Sequence, residues 1–412
     1  MHHDLGWLER GVYLFSLVVF SMGMVMSQNL LSYDEGVIKE LRRVYSCSIE
    51  TILQSLTQPP NRYYVRVNIL RVDPTWLAER LREIGFEVYV DEFIDEALWF
   101  PVEGPQELDL DGIDCRIVVD KFTAESVYIG ANVYAPGVID VKGSCKEGQR
   151  AVVVAPNNIA IAVGKLADDF ENKLRVGRGL VVRVETSIYR VPSLRDTPYY
   201  VKGYIYEQAL PSMYVARVLD PRPGSVIVDM CAAPGGKTSH IYELVGGKAK
   251  IYAFDHSRKK LERLRRELVR LGHKGVVVVR ADSRYLDKDF PWLKADYVLL
   301  DPPCTALGVR PKLYDRKTRN DITSAVHYQR QFLRAAWNIL KPGGVLVYST
   351  CTLTMAENED NIRYAVEELG FELEEAMPLR GSRGRWCREC QWFHPHVHGT
   401  PGHFIAKLYK PS

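Results

Sequence analysis

Two cysteines stand just beyond apolar runs of strand type. Cys304 closes Asp301-Pro302-Pro303-Cys304 after the run 297–300, and Cys351 closes Ser349-Thr350-Cys351 after the run 345–348. If those runs are neighbouring parallel strands, one carboxylate and two thiols emerge at the same sheet edge, where open α/β sheets hold their ligands. Two such thiols suit alkylation of a pyrimidine carbon. C5 of cytosine or uracil is a poor nucleophile, so a nucleophile must first add at C6 and turn the ring into an enamine. A thiolate does this well, being soft, strongly nucleophilic and a competent leaving group. A second thiol can assist once the C5 proton has left. The competing reading is that both cysteines are small buried hydrophobes, as free cysteines usually are. Residue types alone do not say which sulfur attacks.

The same half of the chain has further strand ends that close on acids: Asp229, Asp255, Asp282 and Asp301. After Asp229 runs Met-Cys-Ala-Ala-Pro-Gly-Gly-Lys-Thr238, a turn of small residues that lets backbone approach a ligand closely. Gly236-Lys237-Thr238 echoes a P-loop, but that motif needs Gly at position 231, where Cys stands, and Pro234 interrupts the loop. The dinucleotide pattern G-x-G-x-x-G is missing as well. A loop without a phosphate cradle, followed by an acid suited to ribose hydroxyls, fits a nucleoside cofactor lacking pyrophosphate; S-adenosylmethionine is the common one. On that reading Cys231, Ala232, Ala233, Pro234, Gly235, Gly236 and Lys237 wrap its amino-acid part. Asp255 binds the ribose with Lys260 nearby, Asp282 accepts from the adenine amine, and Asp301 closes the same site.

The elements that must position these residues read as follows. From 191 to 412, apolar strands at 226–228, 251–254, 276–279, 297–300 and 345–348 are divided by helical stretches at 237–245, 258–271, 328–340 and 357–369. That is a doubly wound, largely parallel α/β sheet of Rossmann type, the class I methyltransferase layout. Residues 26–114 read as an α+β region: helices over 30–56, a strand at 63–69, a helix at 75–84 capped by Asp73 or Thr75, a strand at 86–90, then an acidic loop over 91–114. From 115 to 190 short strands (116–119, 127–129, 151–154, 159–163, 179–185) separated by glycines suggest a small β-barrel. Its wording at 125–138, Ile161-Ala-Val-Gly164 and 176–182 resembles a PUA domain, a small RNA-binding barrel. Lys121, Lys142, Lys146, Arg150, Lys165, Arg175 and Arg178 are its candidate phosphate contacts.

Composition sets bounds on this reading. Hydrophobic residues make up 46% and charged residues 25%, with a formal charge of +3, so a nucleic-acid surface must be a local patch. Eight cysteines spread through apolar stretches do not form a secreted disulfide pattern, which implies a reducing, cytoplasmic setting. The exception is the apolar run 11–26, shorter than a membrane span and lacking the small-residue cleavage site of a signal peptide. Residues 1–25 are read as preceding a true start at Met26, or as disordered; no membrane association is expected.

Asp229-Met-Cys-Ala-Ala-Pro-Gly-Gly-Lys-Thr238, Asp301-Pro-Pro-Cys304, Tyr348-Ser-Thr-Cys-Thr352 with Glu357-Asn358, and the 402–407 ending together resemble the Sun-domain (NSUN) RNA cytosine-5 methyltransferases. The inserted PUA-like module is similar to the subgroup acting on cytosine 72 of tRNA. The resemblance implies Cys351 as the nucleophile on C6, Cys304 as the thiol that helps resolve the adduct, Asp301 on the N3/N4 edge of cytosine, and Lys237 as a positioning group. It implies the acceptor end of tRNA as partner and no obligate protein partner. Ribosomal RNA as substrate, or an RNA-binding assembly factor with an idle centre, are the rival functions. One departure is His403, where that family usually has Phe. The helix over 258–268 reads as a solvated charged face, residues 310–319 as a grip on RNA backbone, and Cys387-x-x-Cys390 with His394, His396 and His398 as a weak zinc candidate, with a disulfide or a plain loop as the alternatives; no metal is expected.

Overall fold

The structure is a computed structural model and describes residues 12–18, 27–46 and 48–412. The start at Met26 and most of 1–25 lie outside these residues; within that stretch, Val12–Val18 is a strand paired antiparallel with Ser27–Asp34. The strand Ser27–Asp34 corrects the helix expected from residue 30. Leu31 and Tyr33 are buried with a period of two, and the helix begins only at Glu35, after Asp34 accepts from the Val37 amide. No helix among the described residues is long and apolar enough to cross a membrane.

A four-stranded antiparallel sheet follows, in the order Ile205–Glu207, Arg62–Val67, Ala97–Pro101, Tyr89–Val90. Two expectations are corrected here. The acidic stretch 91–114 contains the strand Ala97–Pro101, whose Ala97, Leu98 and Phe100 are buried despite the charged flanks. Only Tyr89–Val90 of the strand expected over 86–90 forms. Asp73 caps the helix Pro74–Glu83 by accepting from Trp76 N, with Pro74 in the first turn, where its missing N–H costs nothing.

Arg66 ties this sheet to the catalytic half. Its fully buried guanidinium donates to the Gly236 carbonyl at 2.7 Å, Ser239 Oγ at 2.7 Å and both Glu243 oxygens at 2.9 Å. A buried ion pair of this kind is weak evidence of net stability but costly to break by removing one partner.

Residues 116–187 build a six-stranded sheet. Its two edge strands, Val133–Tyr134 and Val138–Lys142, are consecutive in the chain and joined by Ala135–Gly137, so the sheet curls until its edges meet. The strand expected at 127–129 is instead the end of the helix Lys121–Val127. Asp120 caps it through the Thr123 amide, and Ala124 and Val127, three apart, bury the same face. The β-branched and aromatic run Val127-Tyr128-Ile129 imitates a strand only when that cap is overlooked. Cys115 and Cys145 form a disulfide in this unit, and Cys387 and Cys390 form a second. The Cys115–Cys145 bond departs from the reduced state expected from cysteine usage, whereas Cys387–Cys390 takes one of the forms left open for that pair.

The catalytic half carries a nine-stranded sheet among the described residues. Its core strands are β1 (Val226–Asp229), β2 (Lys250–Asp255), β3 (Val276–Arg280), β4 (Ala295–Leu300) and β5 (Leu340–Thr350). They lie parallel in the order β3-β2-β1-β4-β5, with β6 (His403–Tyr409) antiparallel beside β5. The connecting helices include α1 (Gly236–Leu244), α2 (Arg258–Leu271), α3 (Arg319–Ile339) and α4 (Glu359–Glu367). Helix α3 starts nine residues ahead of the expected 328, fixed by a capping box between Thr318 and Asp321. The chain order reverses between β1 and β4, and a crevice at that reversal is where open α/β sheets bind ligands.

Candidate active site

Asp229 ends β1, and Asp301 follows the end of β4, so the first acid and the Pro-Pro-Cys loop leave the sheet side by side. Leu300 pairs with Tyr348 across β4 and β5, which brings Asp301 level with Ser349; Ser349 Oγ donates to Asp301 Oδ1 at 3.0 Å. Three residues beyond Asp301 and two beyond Ser349, the sulfurs of Cys304 and Cys351 lie 3.5 Å apart. The two thiols expected to converge do so.

Lys237, in the first turn of α1, donates to Asp301 Oδ2 at 2.6 Å. Its approach depends on Gly235, whose φ of +112° turns the chain into the helix and whose missing Cβ leaves room for Leu264. Burial opposes ionisation of Asp301, but the Lys237 ammonium outweighs it and holds the carboxyl below its usual range. Asp229 differs: burial pushes it up to about 7, against hydrogen bonds from Thr238 Oγ1 at 2.6 Å and Cys231 N at 3.3 Å.

The two sulfurs are not equivalent. A hydrogen bond from Cys304, aided by the Lys237 charge, takes the Cys351 thiol below its ordinary value in spite of burial. The Cys304 thiol goes up, through its bond to Cys351 and then its burial. The shared hydrogen bond, with a smaller contribution from Lys237, favours Cys351 as the thiolate and leaves the proton on Cys304.

A buried polar network holds both cysteine loops. Glu357 accepts from the Thr305 amide at 2.9 Å, Thr305 Oγ1 at 2.5 Å, Thr354 Oγ1 at 2.9 Å and Gln329 Nε2 at 3.1 Å. Gln329, reaching from α3, also donates to the Pro303 carbonyl at 3.1 Å. Gly308 N donates to the Cys351 carbonyl, and Gly402 N to the Gly308 carbonyl. A Cβ on either glycine would stand under 3 Å from the other's backbone, so the loops touch main chain to main chain. Gln329, Thr305 and Gly308 were not legible as site residues, because nothing local in their segments marks the distant partners. Glu357 was visible only as part of a family motif.

Cys231, Ala233, Asp255, Lys260, Asp282, Asp301, Cys304 and Cys351 line one cavity of about 230 Å³. Ala232, Pro234, Gly236 and Lys237 line an adjoining cavity of about 250 Å³, and Cys231, Ala233 and Asp301 belong to both. Gly235 lines neither and serves the turn. Asp255 is 7% exposed and its Oδ1 accepts from Ser257 N at 2.8 Å. Asp282 reaches the cavity, but Arg284 grips both its carboxylate oxygens and holds it below its usual range.

The donor set suits an adenosine carrying an amino-acid tail: acids at the second and third strand tips, and small residues around the loop between them. Among the described residues no three or more His, Cys, Asp or Glu side chains are grouped to hold a metal. Of the barrel cations, Lys121 is committed to Asp315 at 2.6 Å, Arg150 to Asp109 at 3.0 Å and Lys165 to Glu185 at 3.5 Å.

Comparison with known proteins agrees with this geometry. A family model described as 16S rRNA methyltransferase RsmB/F matches residues 216–409, and a PUA domain model matches 115–188. A Pyrococcus horikoshii protein named tRNA (cytosine(72)-C(5))-methyltransferase is 41% identical over 92% of this chain and 98% of its own. The chain belongs to the RsmB/F Sun-domain methyltransferase family. Within that family, a Mus musculus protein named tRNA (cytosine(72)-C(5))-methyltransferase NSUN6 is 31% identical over 85% of this chain and 81% of its own. The crystal structure of NSun6 from Pyrococcus horikoshii with SFG, an S-adenosylmethionine analogue, superposes with a TM-score of 0.85 at 40% identity. It matches 92% of this chain and 99% of that one. The expected fold, a Rossmann-type methyltransferase domain with an inserted PUA domain, is thereby shown, and the family's reaction is S-adenosylmethionine-dependent methylation of RNA cytosine at C5.

Proposed function

We propose that the chain methylates C5 of cytosine 72 in the acceptor end of tRNA, in the cytoplasm. The observation that carries this reading is the meeting of Cys304 and Cys351 at 3.5 Å beside the Lys237–Asp301 pair. The choice of tRNA rests on the relatives that match nearly the whole chain, PUA domain included, and carry that name. Relatives named for ribosomal RNA match less of the chain or at lower identity: the probable ribosomal RNA small subunit methyltransferase B of Synechocystis covers 53% of it, and an Arabidopsis thaliana rRNA (cytosine-C(5))-methyltransferase covers 78% at 24% identity.

The target base leaves its stack to reach the crevice. Asp301 then holds the N3/N4 edge while the Cys351 thiolate forms a bond from Sγ to C6; the C5=C6 pair moves through C4 onto N3, which takes a proton from solvent. C5 becomes nucleophilic as an enamine. The loop 231–237 with Asp255 and Asp282 would hold S-adenosylmethionine, which would supply the methyl group to C5 and keep the sulfur electron pair as S-adenosylhomocysteine. The C5 proton and the proton on N3 then pass to solvent water, the C5–H electron pair re-forms the C5–C6 double bond, and the C6–S bond breaks to return the thiolate. Cys304, the thiol that keeps its proton, assists this release from 3.5 Å.

Incubation with labelled S-adenosylmethionine and tRNA, followed by bisulfite mapping, tests the reading. Label at cytosine 72 is the expected result; label confined to ribosomal RNA, or RNA binding with no transfer at all, rejects it.

A further inference from the structure

A cavity of about 420 Å³ lies between the N-terminal sheet and the segment that leads into β6, and it has no part in the chemistry above. Asn61, Arg62 and Tyr64 line it from the sheet, and Arg380, His398 and Thr400 from the other side. Its volume falls in the range of about 300–1,000 Å³ usual for specific ligand sites. It stands one step from the crevice. Arg62, Tyr64, Leu210 and Thr400 also wall a neighbouring space, and that space meets the cavity of Lys237 and Asp301 at Gln208 and Ala209.

The charge around this cavity is of one sign. No residue that lines it carries a carboxylate. Arg62 and Arg380 form no ion pair among the described residues; each lies over an aromatic ring, Arg62 over Trp99 at 4.1 Å and Arg380 over Phe93 at 3.8 Å. A ring holds a guanidinium by its face and leaves the N–H edge free to donate. Asp91, the acid that Tyr64 touches, is buried and already accepts from Tyr64 Oη at 3.2 Å and from the amides of Phe93 at 3.0 Å and Ile94 at 3.3 Å. Asn61 adds an amide to the wall, and His398, drawn below its usual pKa by burial, adds a neutral imidazole. Two unpaired guanidinium groups with no acid beside them match a dianion. A phosphate monoester has about two negative charges near neutral pH and three acceptor oxygens, whereas a diester inside a strand has a single charge.

We infer that this cavity takes the 5′-terminal phosphate of the RNA substrate, with Arg62 and Arg380 as its two forks. The inference rests on the reading of cytosine 72 as the target. Nucleotide 72 pairs with nucleotide 1 in the acceptor stem. When the cytosine leaves its stack, the opposite strand therefore begins beside the crevice, and the first group of that strand is the 5′-phosphate. The target base enters on the Lys237–Asp301 side of Gln208 and Ala209, and the 5′ end stays on the Arg62 side. Such a site reads the end of a strand and not a base, so it fixes register: the RNA is held at a set count from its end, and that count decides which nucleotide meets Cys351.

The test uses the full chain and one transcribed tRNA in two forms, one with a 5′-phosphate and one with that phosphate removed to leave a 5′-hydroxyl. The parent protein should show a KM for the 5′-hydroxyl form raised by about tenfold, the scale of a lost hydrogen bond to a charged group, with kcat within about twofold. In Arg380→Gln the ratio of the two KM values should fall to about one, because the group that reads the phosphate is gone. Equal KM values for the two RNAs in the parent protein, or the parent's ratio retained in Arg380→Gln, would overturn the inference, while methylation of both forms at cytosine 72 leaves the substrate reading intact. The comparison in the parent protein needs no variant, so it decides the matter even where Arg380→Gln fails to fold. If the parent protein methylates neither form at cytosine 72, the substrate reading falls and this inference falls with it.

Discussion

Lys237 and Asp301 are joined at 2.6 Å between the first turn of α1 and the end of β4, with Cys351 inside the field of the same ammonium. One cation thus does two things: it keeps a buried carboxylate charged and draws a buried thiol toward thiolate.

Replacing Lys237 with Met should therefore raise both Asp301 and Cys351. Activity that depends on the Cys351 thiolate is lost as pH falls through the thiol's pKa, so this acid limb should move to higher pH in the variant. Rates of iodoacetamide labelling at Cys351 measured against pH follow the same group directly. An unshifted limb would show that Lys237 does not set the thiol's ionisation. The loss in kcat at neutral pH should be about 100-fold or more, the scale of a misplaced general acid–base or electrostatic group.

Cys304→Ala removes the group that assists release but leaves attack at C6 possible. The variant should accumulate a covalent protein–RNA species that survives denaturing electrophoresis. Cys351→Ala should form none and turn nothing over. Adduct in the Cys351 variant and none in the Cys304 variant would exchange the two roles.

The Glu357 carboxylate accepts five hydrogen bonds from buried donors, the fifth from Thr352 Oγ1 at 3.3 Å. Glu357→Ala should cost about 3–5 kcal/mol in urea unfolding, the usual penalty for stranding several buried polar groups. Thr305, the residue after Cys304, is among those donors, so the folded fraction should also lose activity. A change under about 1 kcal/mol would mean the network is far weaker than its geometry implies.

His403 is 5% exposed, and its Nε2 has no hydrogen-bond partner. Burial, then the Lys237 charge, draws its pKa down to about 3. The unfolded chain binds a proton at this residue near pH 6.5 and the folded chain does not, so its contribution to stability falls as pH drops from 6.5 toward 3. His403→Phe should be more stable than the parent at pH 7, and its advantage should grow by about 1.4 kcal/mol per pH unit below 6.5. Parallel stability curves for the two proteins would contradict this.

What the sequence determined by itself was local or periodic. Alternating strands and helices gave the sheet, acids at the strand ends marked its ligand edge, and Pro-Pro-Cys with Ser-Thr-Cys marked the chemistry, because each of these signals lies within a few consecutive residues. The Asp120 cap and the Thr318–Asp321 box, and not hydrophobic periodicity, set the boundaries of their helices, and acidic flanks mask the buried strand Ala97–Pro101. Only the tertiary structure decided the rest. Cys304 and Cys351 are 47 residues apart, yet their sulfurs meet at 3.5 Å once β4 and β5 pair. Arg66 reaches Gly236, Ser239 and Glu243 only once the N-terminal sheet is folded against α1. Electrostatic fields and enclosed volumes are set by distances between atoms, and chain order fixes those distances only for near neighbours.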